Sequence, residues 1–444
     1  MKSSLSCGVS MMVMLVIISG SSVALGQQSP AKSRQPTDPA HPNAAPIVTD
    51  QQPTWWQKGE KDTERMVDSY KPKGLDWGSF LFFPKLELDE KYNSNVFAEE
   101  NNTNSDFVSI VRPQFTLKSQ FPVHYLQVDG RVEYYKYWKY HDDDHIDTSL
   151  DVFGRYDLQR NWEITIRNNL ISQMEDRGSD DAVNGKKPTR MRGFSSKLGT
   201  KYQEGDVILA SSVQVERRTY GDVETSLGTT INNSDRDNWA LEYTARAGYE
   251  FIRNYAAVAQ ITYNTRDYDQ AVDDLGYRRS SDGYTAEMGI AVDVSQLIRG
   301  DFLVGYMKQD YRDANLRDPS GLSMRASFTW TPSKMTIIVP TVERKVYDTT
   351  LANVGGRVRT AGNVMIRHEW ARNVLLTGFA GVAYDEYVGL DRSATTYDIN
   401  GRVTYSLTPE LYVGGEVGYR NRDSELAGAS FDQYTVGLRL GLQL

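Results

Sequence analysis

From Gly78 to Leu444 the side chains alternate between apolar and polar, and this period of two constrains the fold more than any other feature. At the C-terminus Tyr434, Val436, Leu438, Leu440, Leu442 and Leu444 share one face, while Thr435, Gly437, Arg439, Gly441 and Gln443 take the other. Leu126, Val128, Val132 and Tyr134 alternate with Gln127, Asp129, Arg131 and Glu133. Val207, Leu209, Val213 and Val215 face away from Gln214, Glu216 and Arg218. Such alternation belongs to β-strands with one apolar and one polar face. No helical stripe interrupts it, so this part of the chain is all-β.

A soluble sandwich also alternates, so strand length and turn spacing decide. Tight turn signals recur at Phe121-Pro122, Arg160-Asn161, Glu204-Gly205-Asp206, Arg253-Asn254, Arg299-Gly300-Asp301, Thr331-Pro332-Ser333, Arg372-Asn373 and Thr408-Pro409. Longer polar segments lie between them: 98–104, 141–144, 175–187, 222–236, 267–279, 313–321, 349–355, 387–392 and 421–429. Eight short turns alternating with nine long loops make eighteen strands. Many run a dozen residues or more, whereas sandwich strands are usually ~5–6 long. An even strand count, with short turns on one rim and long loops on the other, predicts a transmembrane antiparallel up-and-down β-barrel. Closure also removes the sheet edges that strands of this length would otherwise expose.

The first residues read as an export signal. Lys2 precedes the apolar run Met11–Ile18, and Ala24-Leu25-Gly26 forms a small-x-small cleavage site, so 1–26 is expected to be a cleaved leader. Residues 27–77 are expected to form a flexible periplasmic segment, with one short helix at Lys58–Tyr70, before the barrel at 78–444. The implied location is the outer membrane of a Gram-negative bacterium, with its lipids as partners. A mean hydropathy of −0.53 excludes a polytopic helical membrane protein. The net charge of −8 gives nucleic acid no electrostatic footing. The single cysteine, Cys7, falls in the leader, which leaves no disulfide or thiolate metal site in the mature chain.

The polar face carries the functional signal. A membrane barrel turns apolar side chains to lipid and polar ones to its lumen. Parity places Gln127, Asp129, Arg131, Glu133, Gln214, Glu216, Arg218, Gln260, Asn264, Arg266, Lys308, Asp310, Arg312 and Arg439 on the lumen wall. Both signs and several amides are mixed there, which suits neutral or weakly charged hydrophilic solutes better than one class of ion. Aromatic girdles at the membrane boundaries are expected from Tyr134 to Tyr140, Tyr220, Trp239, Tyr255, Tyr306, Tyr311, Trp370 and Tyr434. The run His141-Asp142-Asp143-Asp144-His145 is the densest set of metal-capable ligands, set against the plainer reading of a solvated acidic loop tip. His368 beside Glu369 raises a lipid-modifying rim hydrolase as a rival. Neighbours on a strand point to opposite faces, and no Gly-x-Ser-x-Gly elbow supplies a nucleophile, so a structural histidine is preferred. No glycine pattern cradles phosphate, and no cofactor is expected. A non-conducting structural barrel is the second rival.

The segment Gly78-Ser79-Phe80-Leu81-Phe82-Phe83-Pro84-Lys85-Leu86-Glu87-Leu88, followed by Tyr92-Asn93-Ser94-Asn95-Val96-Phe97, resembles the opening strand of a family of outer-membrane β-barrel porins of proteobacteria. Arg299-Gly300-Asp301, Val304-Gly305-Tyr306, Trp330-Thr331-Pro332 and Arg367-His368-Glu369 follow in the order of that family. The resemblance covers about residues 65 to 444. It implies a porin that is not an enzyme, is linked with exopolysaccharide or capsule production, and has polysaccharide as a partner. Insertion by the barrel-assembly machinery through the last strand is also implied, although that strand ends in Leu444 where many such barrels end in an aromatic.

Overall fold

The computed structural model describes residues 70–444, apart from 180, 182–184, 226–227 and 295–296. The expected leader and linker, and the expected short helix except its last residue, lie outside the described residues. Eighteen long strands form one closed antiparallel barrel. The first six are β1 (Phe80–Asn93), β2 (Asp106–Ser119), β3 (Tyr125–Tyr137), β4 (His145–Gln159), β5 (Trp162–Met174) and β6 (Arg190–Glu204). Next come β7 (Val207–Tyr220), β8 (Asn238–Ile252), β9 (Tyr255–Tyr268), β10 (Ser281–Val294), β11 (Ile298–Tyr311) and β12 (Ser320–Ser333). The last are β13 (Thr336–Tyr347), β14 (Arg357–Ala371), β15 (Val374–Tyr387), β16 (Ser393–Ser406), β17 (Leu411–Ser424) and β18 (Phe431–Gln443). Each pairs with its sequence neighbours, and β18 closes on β1 from Lys85↔Gln443 to Asn93↔Thr435. Strands ~4.8 Å apart and tilted by ~40° close a backbone cylinder roughly 35 Å across, too wide for side chains alone to fill.

The seam has an addition. Leu75–Trp77 forms a short strand paired with Phe80–Phe82, on the stretch of β1 that β18 does not reach. The segment expected to be loose up to residue 77 therefore ends in pairing, because the lower end of β1 would otherwise be an open edge.

Most turns fall where the punctuation residues predict. Gly205 and Asn254 sit in the β6–β7 and β8–β9 turns with φ of 56° and 72°, the left-handed region those residues tolerate. Arg299-Gly300-Asp301 is different, because β11 already begins at Ile298. Gly300 marks close backbone approach rather than a turn: at φ 153°, a Cβ there would lie 2.1 Å from the Ser327 carbonyl oxygen on β12. Thr331-Pro332-Ser333 likewise belongs to the end of β12, and the turn comes after it.

The outer face is apolar and banded by aromatics. Tyr243, Tyr263 and Tyr284 are direct cross-strand neighbours near the long-loop rim, and Tyr419 and Tyr434 pair at 4.8 Å. Trp162 and Tyr202, 6.3 Å apart, mark the short-turn rim together with Trp330 and Trp370. Tyr135, Tyr137, Tyr220 and Tyr311, expected in the girdles, have the opposite parity and face inward; adjacency to a rim was mistaken for orientation. His368 stands on the outer face, in hydrogen-bond contact with Thr336 Oγ1 at 2.9 Å and edge-on to Trp370. It belongs to the girdle and has no serine or carboxylate partner there.

Candidate functional site in the lumen

The inward positions form ionic networks that run from strand to strand. On β1, Lys85, Glu87, Asp89 and Lys91 alternate with Leu86 and Leu88, which puts four charges on the lumen face. Arg112 of β2 is their hub. Its Nη1 donates to Glu87 at 2.9 Å and Asp89 at 3.0 Å, and its Nε donates to Glu133 of β3. From β18, Arg439 donates to both Asp89 oxygens, at 2.7 and 2.8 Å, so the network crosses the closing seam. Glu416 on β17 extends it, paired with Lys91 at 2.6 Å and Arg402 at 2.9 Å. A second network joins Arg246 to Asp301, and Glu287 to Ser323 and Arg325. A third gathers Arg357 and Arg359 on Asp385, at 3.6 and 2.7 Å. Charges this buried are tolerable because each carboxylate lies beside a cation and accepts hydrogen bonds, those of Glu287 coming from Ser323 and Gln260.

Eleven of the fourteen lumen candidates face inward on this evidence of register and burial. Glu133 and Arg439 enter the first network, and Arg131 lies 4.0 Å from Glu133. Gln127 donates to Asp129 at 2.6 Å, and Thr116 does the same at 2.6 Å. Gln214 bonds Ser195, Glu216 pairs with Arg218, Gln260 accepts from Arg246, and Arg266 reaches Asp348. Asn264 is inward on β9.

Lys308, Asp310 and Arg312 are corrected: they lie on the outside. Their side chains are 38 %, 48 % and 51 % exposed, and Lys308 and Asp310 stand directly opposite Tyr284 and Asp282 on the outer face of β10. They share parity with Phe302, Val304 and Tyr306, while the inner face of β11 carries Arg299, Asp301, Leu303, Met307 and Gln309. Two apolar inner residues inverted the usual pattern, and charge alone suggested the wrong side. Parity alone did not single out Arg112, Glu87, Asp89 and Asp385, although the Lys85-x-Glu87-x-Asp89-x-Lys91 alternation carries the signal for Glu87 and Asp89.

The metal expectation is also corrected. His141–Asp143 forms a short 3-10 turn whose side chains diverge to separate partners. Asp143 pairs with Arg177 at 2.7 Å, Asp142 with Lys186 at 3.3 Å, and Asp144 with Lys136. His145 stacks on Tyr135 at 4.4 Å, and His141 is exposed. Among the described residues no group of three or more His, Cys, Asp or Glu is placed to hold a metal ion.

Long loops are tied to one another around one mouth. Loop 175–189 is held by Glu175 to Arg236 of the next long loop, and by Asp176 to Arg420 and Asp181 to Thr349 at 2.7 Å, which tie it to the far side of the barrel order. Burial pushes the Glu175 carboxyl up, despite the Arg236 guanidinium against it. Arg279 donates to the carbonyls of Thr349, Thr350, Leu351 and Val354, clasping loop 348–356. Backbone N–H groups of Arg278 and Asn315 hold the Asp313 carboxyl below the usual carboxylate range.

The family described as "Putative beta-barrel porin 2" matches residues 68–444. The chain belongs to that family. Solved structures similar to it include Pseudomonas aeruginosa OccK2 (OpdF), at 9 % identity and TM-score 0.42, covering 82 % of this chain and 98 % of that one. Pseudomonas aeruginosa OpdQ is 7 % identical with TM-score 0.41, covering 82 % and 97 %. A bacterial polysaccharide outer membrane secretin is 10 % identical with TM-score 0.35, covering 81 % and 98 %. No curated protein matches.

Proposed function

We propose that the barrel is an outer-membrane conduit for hydrophilic solutes with weak ion selectivity. The carrying observation is the lumen wall, where cations and carboxylates compensate one another at similar depth, as in Arg112 with Glu87, Asp89 and Glu133. Opposite charges so placed cancel much of each other's field, and neither sign of ion gains. The family and the apolar outer band between two aromatic rims support the membrane setting. Every long strand pairs with its two neighbours in the wall, and the contacts that reach across the lumen come from the loops of one rim. Export through a cleaved leader, insertion by the assembly machinery through β18, and placement in a Gram-negative outer membrane complete this reading. A role in exopolysaccharide export is supported by the resemblance of the opening strand and the motifs that follow it.

Reversal potentials across a planar bilayer under a salt gradient test the selectivity. The wild type should give a potential close to zero. Replacing Arg131, Arg218 and Arg266 together by Ala leaves an acidic excess and should shift the pore toward cations at low salt. The shift should fade at high salt, where the Debye length falls to ~3 Å. A strongly selective wild type, or an unmoved triple variant at low salt, would overturn the reading.

A further inference from the structure

Three upward strands end in one repeated inward triplet. Glu216, Arg218 and Tyr220 close β7; Asn264, Arg266 and Tyr268 close β9; Glu343, Lys345 and Tyr347 close β13. Residues two apart share a face, so each tyrosine stands above a cation on the lumen wall. Each cation is already neutralised. Arg218 lies 2.5 Å from Glu216, Lys345 lies 3.0 Å from Glu343, and Arg266 meets Asp348, the residue after Tyr347. Tyr311, which ends the intervening β11, donates its hydroxyl to the same Asp348 at 3.3 Å. The four tyrosines thus form an arc on alternate strands, ~10 Å from one to the next.

The rings are braced but not sunk in the wall. Arg236 stacks on Tyr220 at 4.0 Å, Lys345, Arg357 and Arg359 lie over the Tyr347 ring at 4.8, 5.6 and 5.5 Å, and Tyr347 donates to Glu343 at 2.9 Å. All four are half-buried. Tyr387, at the end of β15, is the contrast: it is 2 % exposed and packed against Val354 and Ala394.

We propose that this arc is a docking site for an uncharged oligosaccharide at the mouth of the conduit. A pyranose offers an apolar C–H face and a rim of hydroxyls that both donate and accept. The tyrosine rings, at the edges and faces their cations leave, suit the first. The compensated pairs suit the second, because they supply charged donors and acceptors for strong hydrogen bonds without a net field. An ionic sugar would have to compete with carboxylates or cations already in place. The proposal rests on the conduit reading and names its solute class.

The test uses the full-length protein in planar bilayers, with an uncharged glucose hexasaccharide added on the long-loop side. The hexasaccharide should interrupt the current reversibly, at a concentration about tenfold below that needed by a galacturonate hexamer. Changing Tyr220, Tyr268 and Tyr347 together to Ala should raise the half-blocking concentration about tenfold or more. The corresponding Phe variant keeps the rings and should stay within about threefold of wild type. Tyr268→Ala alone serves if the triple Ala variant does not fold, as judged by heat-modifiable mobility, and should itself weaken the block. A conducting barrel that the hexasaccharide does not block overturns this inference alone. So does equal block by the acidic hexamer, or a block untouched by loss of the rings. A folded barrel that conducts nothing overturns the conduit reading and this inference with it.

Discussion

Leu438 and Leu440 sit two residues apart on the outer face of β18, yet an arginine should be tolerated very differently at the two positions. Leu440 stands opposite Leu88 on one side and Val413 on the other. An arginine there has only lipid and apolar neighbours, and near the bilayer midplane it should cost ~2–4 kcal/mol. Leu438, although 71 % exposed on the bare barrel, stands directly opposite Glu90, which also faces outward and accepts a hydrogen bond from Ser109 at 2.7 Å. Leu438→Arg gains a carboxylate partner in a low-dielectric setting, which should offset its cost by on the order of 1–2 kcal/mol. Folding titrations in lipid vesicles, read by heat-modifiable mobility, measure both variants. Leu440→Arg should be the more damaging, and adding Glu90→Gln should erase the advantage of Leu438→Arg. Equal costs at the two sites, or no effect of Glu90→Gln, would refute the argument from register.

The remaining predictions address the lumen, the loops and the topology. Arg112→Met leaves Glu87, Asp89 and Glu133 short of their shared cation and should cost ~3–5 kcal/mol, measurable by chemical denaturation in detergent. Arg439→Leu should destabilise through the same carboxylates, with partial rescue by Asp89→Asn. The contribution of Asp313 should be present above its unfolded pKa of ~3.9 and lost as pH falls through its lower folded value, because the folded state prefers the charged form. Hydrogen exchange of segments 278–280 and 313–316 should therefore quicken only in strong acid, and Asp313→Ala should abolish the dependence. A cysteine at Thr229 should react with an impermeant maleimide on intact cells and one at Gly205 should not, if the short turns face the periplasm.

How much of this was legible in the sequence depends on what each residue reports. Periodicity fixes strand and face, so the barrel and the inward side of β3, β7 and β18 follow from parity alone. Turn residues are less specific. Gly300 looks like turn punctuation because glycine serves both tight turns and close backbone approach, and only the position of β12 separates the two. Charge is a poor guide near a rim: above the tyrosine row the outer wall is wet, so Lys308 and Asp310 can face out as readily as in. Partners are the least legible of all. Parity turns Arg439 inward, but its contact with Asp89 joins the two ends of the barrel across the closing seam, and no local pattern encodes that.

The central claim is that the lumen conducts, and single-channel recording of the purified, heat-modifiable protein in a planar bilayer tests it most directly. The account predicts discrete, ohmic openings whose conductance scales with salt and whose selectivity between cation and anion is slight. A protein that inserts and retains heat-modifiable mobility yet shows no openings at any voltage would contradict it, and would make the ionic networks of the wall the bracing of a structural barrel.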